Sequence, residues 1–186
     1  MQVRSRFPGL TATRVRLVIM NAVIVFVAQY LLYFILAAAA VIWLLLSRQV
    51  KVGLAAQAIV SLVIVFVLIK LAGAIYTDPR PFVANPLIKP LFVHAADNGF
   101  PSDHTAVAAT VALLVMMYSR WLGAALLVAS LALGASRMAA HVHHGQDIVA
   151  AVLIAAVAVG IASVSWRWAR PRLPRLPGRL AGPSST

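Results

Sequence analysis

Thirty consecutive residues, 17–46, carry no charged side chain. As an α-helix rising about 1.5 Å per residue, this run is longer than the ~30 Å hydrocarbon core of a bilayer, so it should tilt or project. Four more apolar stretches follow at 52–76, 103–118, 121–140 and 147–166, the first interrupted near its end by Lys70. Lipid offers backbone N–H and C=O groups no partners, so such segments must bond internally as helices. The fold class that follows is all-α: a polytopic membrane helical bundle of about five transmembrane helices, or six if the long first segment splits. Composition agrees. The chain is 62% hydrophobic and only 11% charged, where a soluble domain has about a quarter charged.

Residues 1–16, with Arg4, Arg6, Arg14 and Arg16, read as a basic N-terminal arm. A basic start before an apolar run also fits a signal peptide, but the run is far too long for a signal core and lacks a clear cleavage site. Residues 17–166 form one transmembrane unit without an internal repeat. The tail, 167–186, alternates Arg with Pro and is expected to be extended and mostly disordered. The loop 77–102 holds Pro79, Pro81, Pro86, Pro90 and Pro101. Ser102 or Asp103 can N-cap the third span, and Asp147 the fifth.

A net charge of +12 invites a nucleic-acid reading. Most of the basic residues, however, sit in the arm, turns, central loop and tail, where membrane proteins meet anionic headgroups. The bilayer is the expected partner, not nucleic acid. Absence of cysteine removes disulfides, thiolate metal ligands and a thiol nucleophile. With five spans, Lys70, Arg80, His104, Arg137 and His143 emerge on one side. Eight positive residues emerge on the other: Arg48, Lys51, Arg120, Arg167, Arg170, Arg172, Arg175 and Arg179. The positive-inside rule makes that second side cytoplasmic and the polar cluster extracytoplasmic. The arm runs against this count; an interfacial helix or a sixth crossing would reconcile it.

There is no Glu, and every Asp and His falls between positions 78 and 147. Polarity confined this way in a lipid-loving chain points to function. Lys70, Arg80 and Arg137 can supply charge to a phosphoryl group, whose transfer relies on positioning and electrostatic stabilisation. Ser102 opens a helix, where free N–H groups favour anions. His143 can attack phosphorus as a neutral imidazole, with Asp147 four residues on fixing its tautomer. His104 can protonate the leaving oxygen, giving a bell-shaped pH–rate profile for the coupled pair.

Ser136-Arg137, His143 and Asp147, with Pro101-Ser102-Asp103-His104 and Arg80-Pro81, resemble the three motifs of the phosphatidic acid phosphatase type 2 superfamily, K-x6-RP, PSGH and SR-x5-H-x3-D. The third motif is complete. Asp103 stands where the second has Gly, and Lys70 lies ten residues before Arg80 instead of seven. The run from His94 to Thr105 and Arg80-Pro81-Phe82-Val83 are most similar to the bacitracin-resistance type of undecaprenyl-diphosphatase. The resemblance implies hydrolysis of undecaprenyl diphosphate, a polyprenyl diphosphate lipid, outside the cytoplasmic membrane through a phosphohistidine, with no metal and no cofactor. It makes His143 nucleophile, His104 general acid and Asp147 the orienting carboxylate. Arg80, Ser102 and Arg137 bind phosphate, with Lys70 and Asp103 as less regular members.

Other readings stand beside these. His141, His143 and His144 could bind metal, although on a helix only 141 and 144 share a face; His141 and His144 read rather as structural. Ser136 fits phosphate binding or packing. His94, Asp97 and Lys89 are loop residues open to a diphosphate role, and the tryptophans read as interface anchors. Alternative substrates are glycerolipids such as phosphatidylglycerophosphate or phosphatidic acid. A non-enzyme alternative is a lipid transporter, which should carry polar residues at mid-membrane depth. Oligomeric state is left open.

Overall fold

The computed structural model describes residues 12–172. Five longer helices follow one another: α1 (Ala12–Leu45), α2 (Arg48–Ile75), α4 (Asp103–Met116), α5 (Arg120–Ala139) and α6 (Gly145–Ala169), with a one-turn α3 (Pro81–Ala84) in the central loop. Four of them are long and apolar enough to cross a membrane; α4 is shorter. The chain is a multi-pass membrane protein.

The inside-out patterning of α6 shows why lipid is its solvent. Ala151, Ala155, Ala158 and Ala162 are buried at alternating spacings of four and three, which is one helix face. Val149, Leu153, Val157, Ile161 and Val164 are exposed. Small residues let helix backbones approach where no hydrophobic force separates protein from lipid. Ala106, Ala108, Ala109 and Ala112 do the same on α4, which packs against α1, α2, α5 and α6. As the central helix it is surrounded by protein, so its 14 residues need not reach both faces, and the span expected to Tyr118 ends at Met116. The turn into α5 is tight: a Cβ at Gly123 would collide with the Met116 backbone.

Three further boundaries differ from expectation. The first segment does not split: α1 is one helix of 34 residues, which removes the sixth crossing. Arg14 and Arg16 of the arm belong to it, and residues 1–11 lie outside the described part. Arg137 Nη1 donates to the Ala28 carbonyl at 3.1 Å, so α1 runs well past that end of α5. The tail stays helical through Ala169 with a 3-10 turn at Arg170–Arg172; residues 173–186, and with them the rest of the disorder expectation, lie outside the described part. Asp147 does not N-cap α6. His144 holds that position and Asp147 sits three residues in, its carboxylate accepting the His144 backbone N–H at 2.8 Å, half of a capping box.

The two ends of the bundle differ in chemistry. Trp43, Trp121, Trp166 and Trp168 all lie at the end where α1 stops, α2 and α5 start and α6 stops, with Arg48, Lys51 and Arg120. Trp43 Nε1 donates to the Lys51 carbonyl at 3.0 Å, an interfacial anchor. Every Asp and His lies toward the other end.

Candidate active site

Four helix ends and the central loop meet around a cavity of about 390 Å³. Lys70, Arg80, Asp103, His104, Arg137 and His143 are on its wall, with His94, Asp97 and Asn98 from the loop. Six of the eight residues singled out for the site are thus brought together from positions 70 to 143. Asp147 stands directly behind His143. Ser102 does not reach the wall: it is fully buried, its hydroxyl 3.1 Å from Thr105 Oγ1 and its N–H donating to the Asp147 carbonyl at 3.2 Å. It does N-cap α4, and this bond fastens the start of α4 to the start of α6.

His143 is delivered by a helix stop. The Val142 N–H bonds the Arg137 carbonyl at 3.1 Å and the His141 N–H bonds that of Met138 at 2.9 Å, while His141 has φ 62°. This is the Schellman pattern, with His141 at the left-handed position usually held by Gly. His143 then lies 4% exposed, its Nδ1 3.2 Å from Asp147 Oδ2. An ionised carboxylate can only accept, so the proton sits on Nδ1 and Nε2 carries the lone pair. Nε2 lies 3.4 Å from Arg80 Nη1. Burial pushes the imidazole below its ordinary value of 6.5; the Asp147 bond opposes this, and Arg137 and Arg80 reinforce it. The neutral form is therefore favoured.

Both arginines are buried and held. Arg80 Nη1 donates to the Val142 carbonyl at 2.7 Å, and its Nε to Asp97 Oδ1 at 2.9 Å. Asp97 is held below its ordinary carboxylate value: burial would raise it, but the Arg80 hydrogen bond and charge outweigh that. Arg137 Nη2 lies 3.0 Å from His94 Nε2, while its Nε is buried without a partner among the described residues.

Residues 52–172 match the PAP2 superfamily. The chain belongs to the PAP2 superfamily. It is a membrane lipid phosphatase. Among relatives of this PAP2 protein, the bacitracin transport permease protein BcrC of Bacillus licheniformis is 30% identical over 155 residues, 83% of this chain and 73% of the relative. The undecaprenyl-diphosphatase BcrC of Bacillus subtilis (strain 168) is 30% identical over 142 residues, 75% and 71% of the two chains. The crystal structure of Aquifex aeolicus LpxE shares the fold, with a TM-score of 0.63 at 21% identity over 86% of this chain and 88% of that one.

Ser136, for which phosphate binding and packing were both open, donates to the Leu133 carbonyl of its own helix at 2.6 Å and is not on the cavity wall. Lys89 is not on the cavity wall of this PAP2 protein. The three histidines expected as one metal option do not assemble; among the described residues, the group with metal-ligand chemistry is Asp78, His144 and Asp147, with donor atoms within 4.8 Å of one another. Two organisers were missed by the sequence reading. Asn98 accepts from the Asp78 and Phe100 N–H groups at 2.9 and 3.0 Å and donates to the Gly73 and Tyr76 carbonyls at 3.0 and 3.1 Å. Asp78 accepts from His144 Nδ1 at 2.8 Å and from Gln146 at 2.7 Å. A lone Asn or Asp in a loop gives no periodic signal by which to find such roles.

Proposed function

We propose that this protein hydrolyses a polyprenyl diphosphate, undecaprenyl diphosphate, to undecaprenyl phosphate and inorganic phosphate on the outer face of the cytoplasmic membrane. The carrying observation is His143 Nε2 at 3.4 Å from Arg80 Nη1, on the wall of a cavity that His104, Arg137 and Lys70 also line. The terminal phosphoryl group takes that place. His143 Nε2 bonds phosphorus as the bridging P–O bond breaks; the lipid monophosphate leaves with the electron pair and a proton from His104. Arg80, Arg137, Lys70 and the N–H groups that open α4 after Ser102 hold the equatorial oxygens. Asp147 steadies the cationic phosphoimidazole. Water, deprotonated by His104, then breaks the N–P bond and frees phosphate.

The substrate choice is supported by the name of the Bacillus subtilis relative and by the resemblance of the His94–Thr105 stretch. The outer face is supported by Arg48, Lys51, Arg120, Arg167, Arg170 and Arg172 at the opposite end. Purified protein offered undecaprenyl diphosphate, phosphatidylglycerophosphate and phosphatidic acid side by side should release phosphate fastest from the first, and His143→Ala should release none. Preference for a glycerolipid would refute the substrate, and an active His143→Ala the mechanism. Lipid flux across liposomes that survives His143→Ala would favour a transporter, the reading that the name of the Bacillus licheniformis relative invites.

A further inference from the structure

Residues 78 and 80 of the central loop grip residues 142 and 144, one on each side of His143. Arg80 Nη1 holds the Val142 carbonyl at 2.7 Å, and Asp78 Oδ2 holds His144 Nδ1 at 2.8 Å. We propose that Asp78 is a positioning residue for phosphoryl transfer, acting through His144 to hold His143 at its working distance from Arg80. This rests on the reading of His143 as the nucleophile.

The two groups that must meet, the His143 imidazole and the Arg80 guanidinium, come from segments 63 positions apart. Something must fix their separation, because misplacement by about 1 Å can cost 10²-fold in rate. The Arg80–Val142 bond alone is a single pivot, about which the loop could swing. The Asp78–His144 bond, beside the Gln146 bond to the same oxygen at 2.7 Å, adds a second point of attachment two residues away and makes the clamp rigid. The loop side is itself anchored: the Asp78 N–H donates to Asn98 Oδ1 and its carbonyl accepts the Gly99 N–H, both at 2.9 Å.

Asp78 has the chemistry for this task. It is 8% exposed, and although burial would raise its carboxyl, the hydrogen bonds from Gln146 and His144 lower it below the ordinary value. It is thus an ionised acceptor, and His144 must present its proton on Nδ1. Two carboxylate–imidazole couples then stand side by side at the start of α6. Asp147 steers the nucleophile from behind, and Asp78 steers the residue that follows it. His144, read from the sequence as structural, becomes the link between loop and nucleophile.

The test uses full-length protein in detergent, with whichever of undecaprenyl diphosphate and phosphatidic acid the wild type hydrolyses faster. Asp78→Ala and His144→Ala should each lower kcat about 10- to 100-fold, with KM within about threefold. The double variant should be no worse than the poorer single, since the two act as one unit. His144→Asn, whose side-chain N–H replaces Nδ1–H, should recover kcat to within about fivefold of wild type, a rescue that loss of packing would not show. If Asp78→Ala does not fold, the comparison of His144→Ala with His144→Asn decides. Alanine variants with kcat within about twofold of wild type, losses confined to KM, or an additive double variant would overturn the proposal. If His143→Ala is also active, the failure lies with the nucleophile; if only His143→Ala is dead, it lies with Asp78.

Discussion

Asp147 Oδ2 takes two hydrogen bonds from neighbouring residues, His143 Nδ1 at 3.2 Å and the His144 backbone N–H at 2.8 Å. One oxygen therefore both shapes the helix start and sets the imidazole tautomer. In Asp147→Asn the amide oxygen can keep both contacts, so the change removes chiefly the charge. That charge matters when His143 becomes cationic on bonding phosphorus. Asp147→Asn should lower kcat by about 10²-fold or more with little change in KM. Steady-state kinetics with alkaline-quench trapping of the acid-labile phosphohistidine checks this; wild-type kcat would refute it.

Burial, with Arg137 and Arg80, holds His143 below 6.5 against the opposing pull of Asp147. A lowered value means that the neutral imidazole survives to lower pH, so activity is lost only as pH falls through the lowered value. The acid limb of kcat/KM should therefore have its midpoint below 6.5. In Asp147→Asn the raising charge is gone while the hydrogen bond can stay, and the limb of the residual activity should move lower. A pH–rate series on both proteins measures it. A limb above 6.5, or a shift to higher pH in the variant, contradicts the assignment.

Much of this site was legible in the sequence because helix ends carry it. Arg137, His143 and Asp147 are near neighbours along the chain, so their spacing translates directly into geometry. The apolar runs likewise gave five helices, with errors only at their ends. Hydropathy does not register where a buried helix such as α4 can stop short, nor that a helix start is capped by His144 with Asp147 behind it. Ser102 shows the other limit. Its place at the head of α4 was readable, but the turn of its hydroxyl toward Thr105 depends on packing against α6. Asp78 and Asn98 act across tertiary contacts, and nothing local marks them.

His141 ends α5 with φ 62°, a conformation that costs an L-residue with a Cβ about 1–2 kcal/mol. Glycine has no such penalty, and the His141 side chain is exposed. His141→Gly should therefore leave kcat unchanged and raise stability by up to about 1 kcal/mol. Thermal unfolding in detergent, read beside activity, tests it. A large loss of activity would mean that the His141 side chain does more than terminate the helix.

Asn98 joins three parts of the site with four hydrogen bonds. Its amide group donates to the Gly73 and Tyr76 carbonyls at the end of α2, and its oxygen accepts from Asp78 and Phe100. The end of a helix leaves carbonyls without partners, so here a loop side chain acts as the α2 cap. Asn98→Asp is nearly the same shape but exchanges the two donors for an acceptor. A carboxylate would then face two carbonyl oxygens, losing two bonds and adding repulsion, at a cost of about 2–4 kcal/mol. The Asp78 and Phe100 contacts survive in principle, so the damage should spread from the α2 end. Unfolding temperature should fall, and kcat should fall with it as the Asp78–Arg80 loop loosens. Asn98→Asp with wild-type stability would mean that the loop and α2 are held together by other contacts.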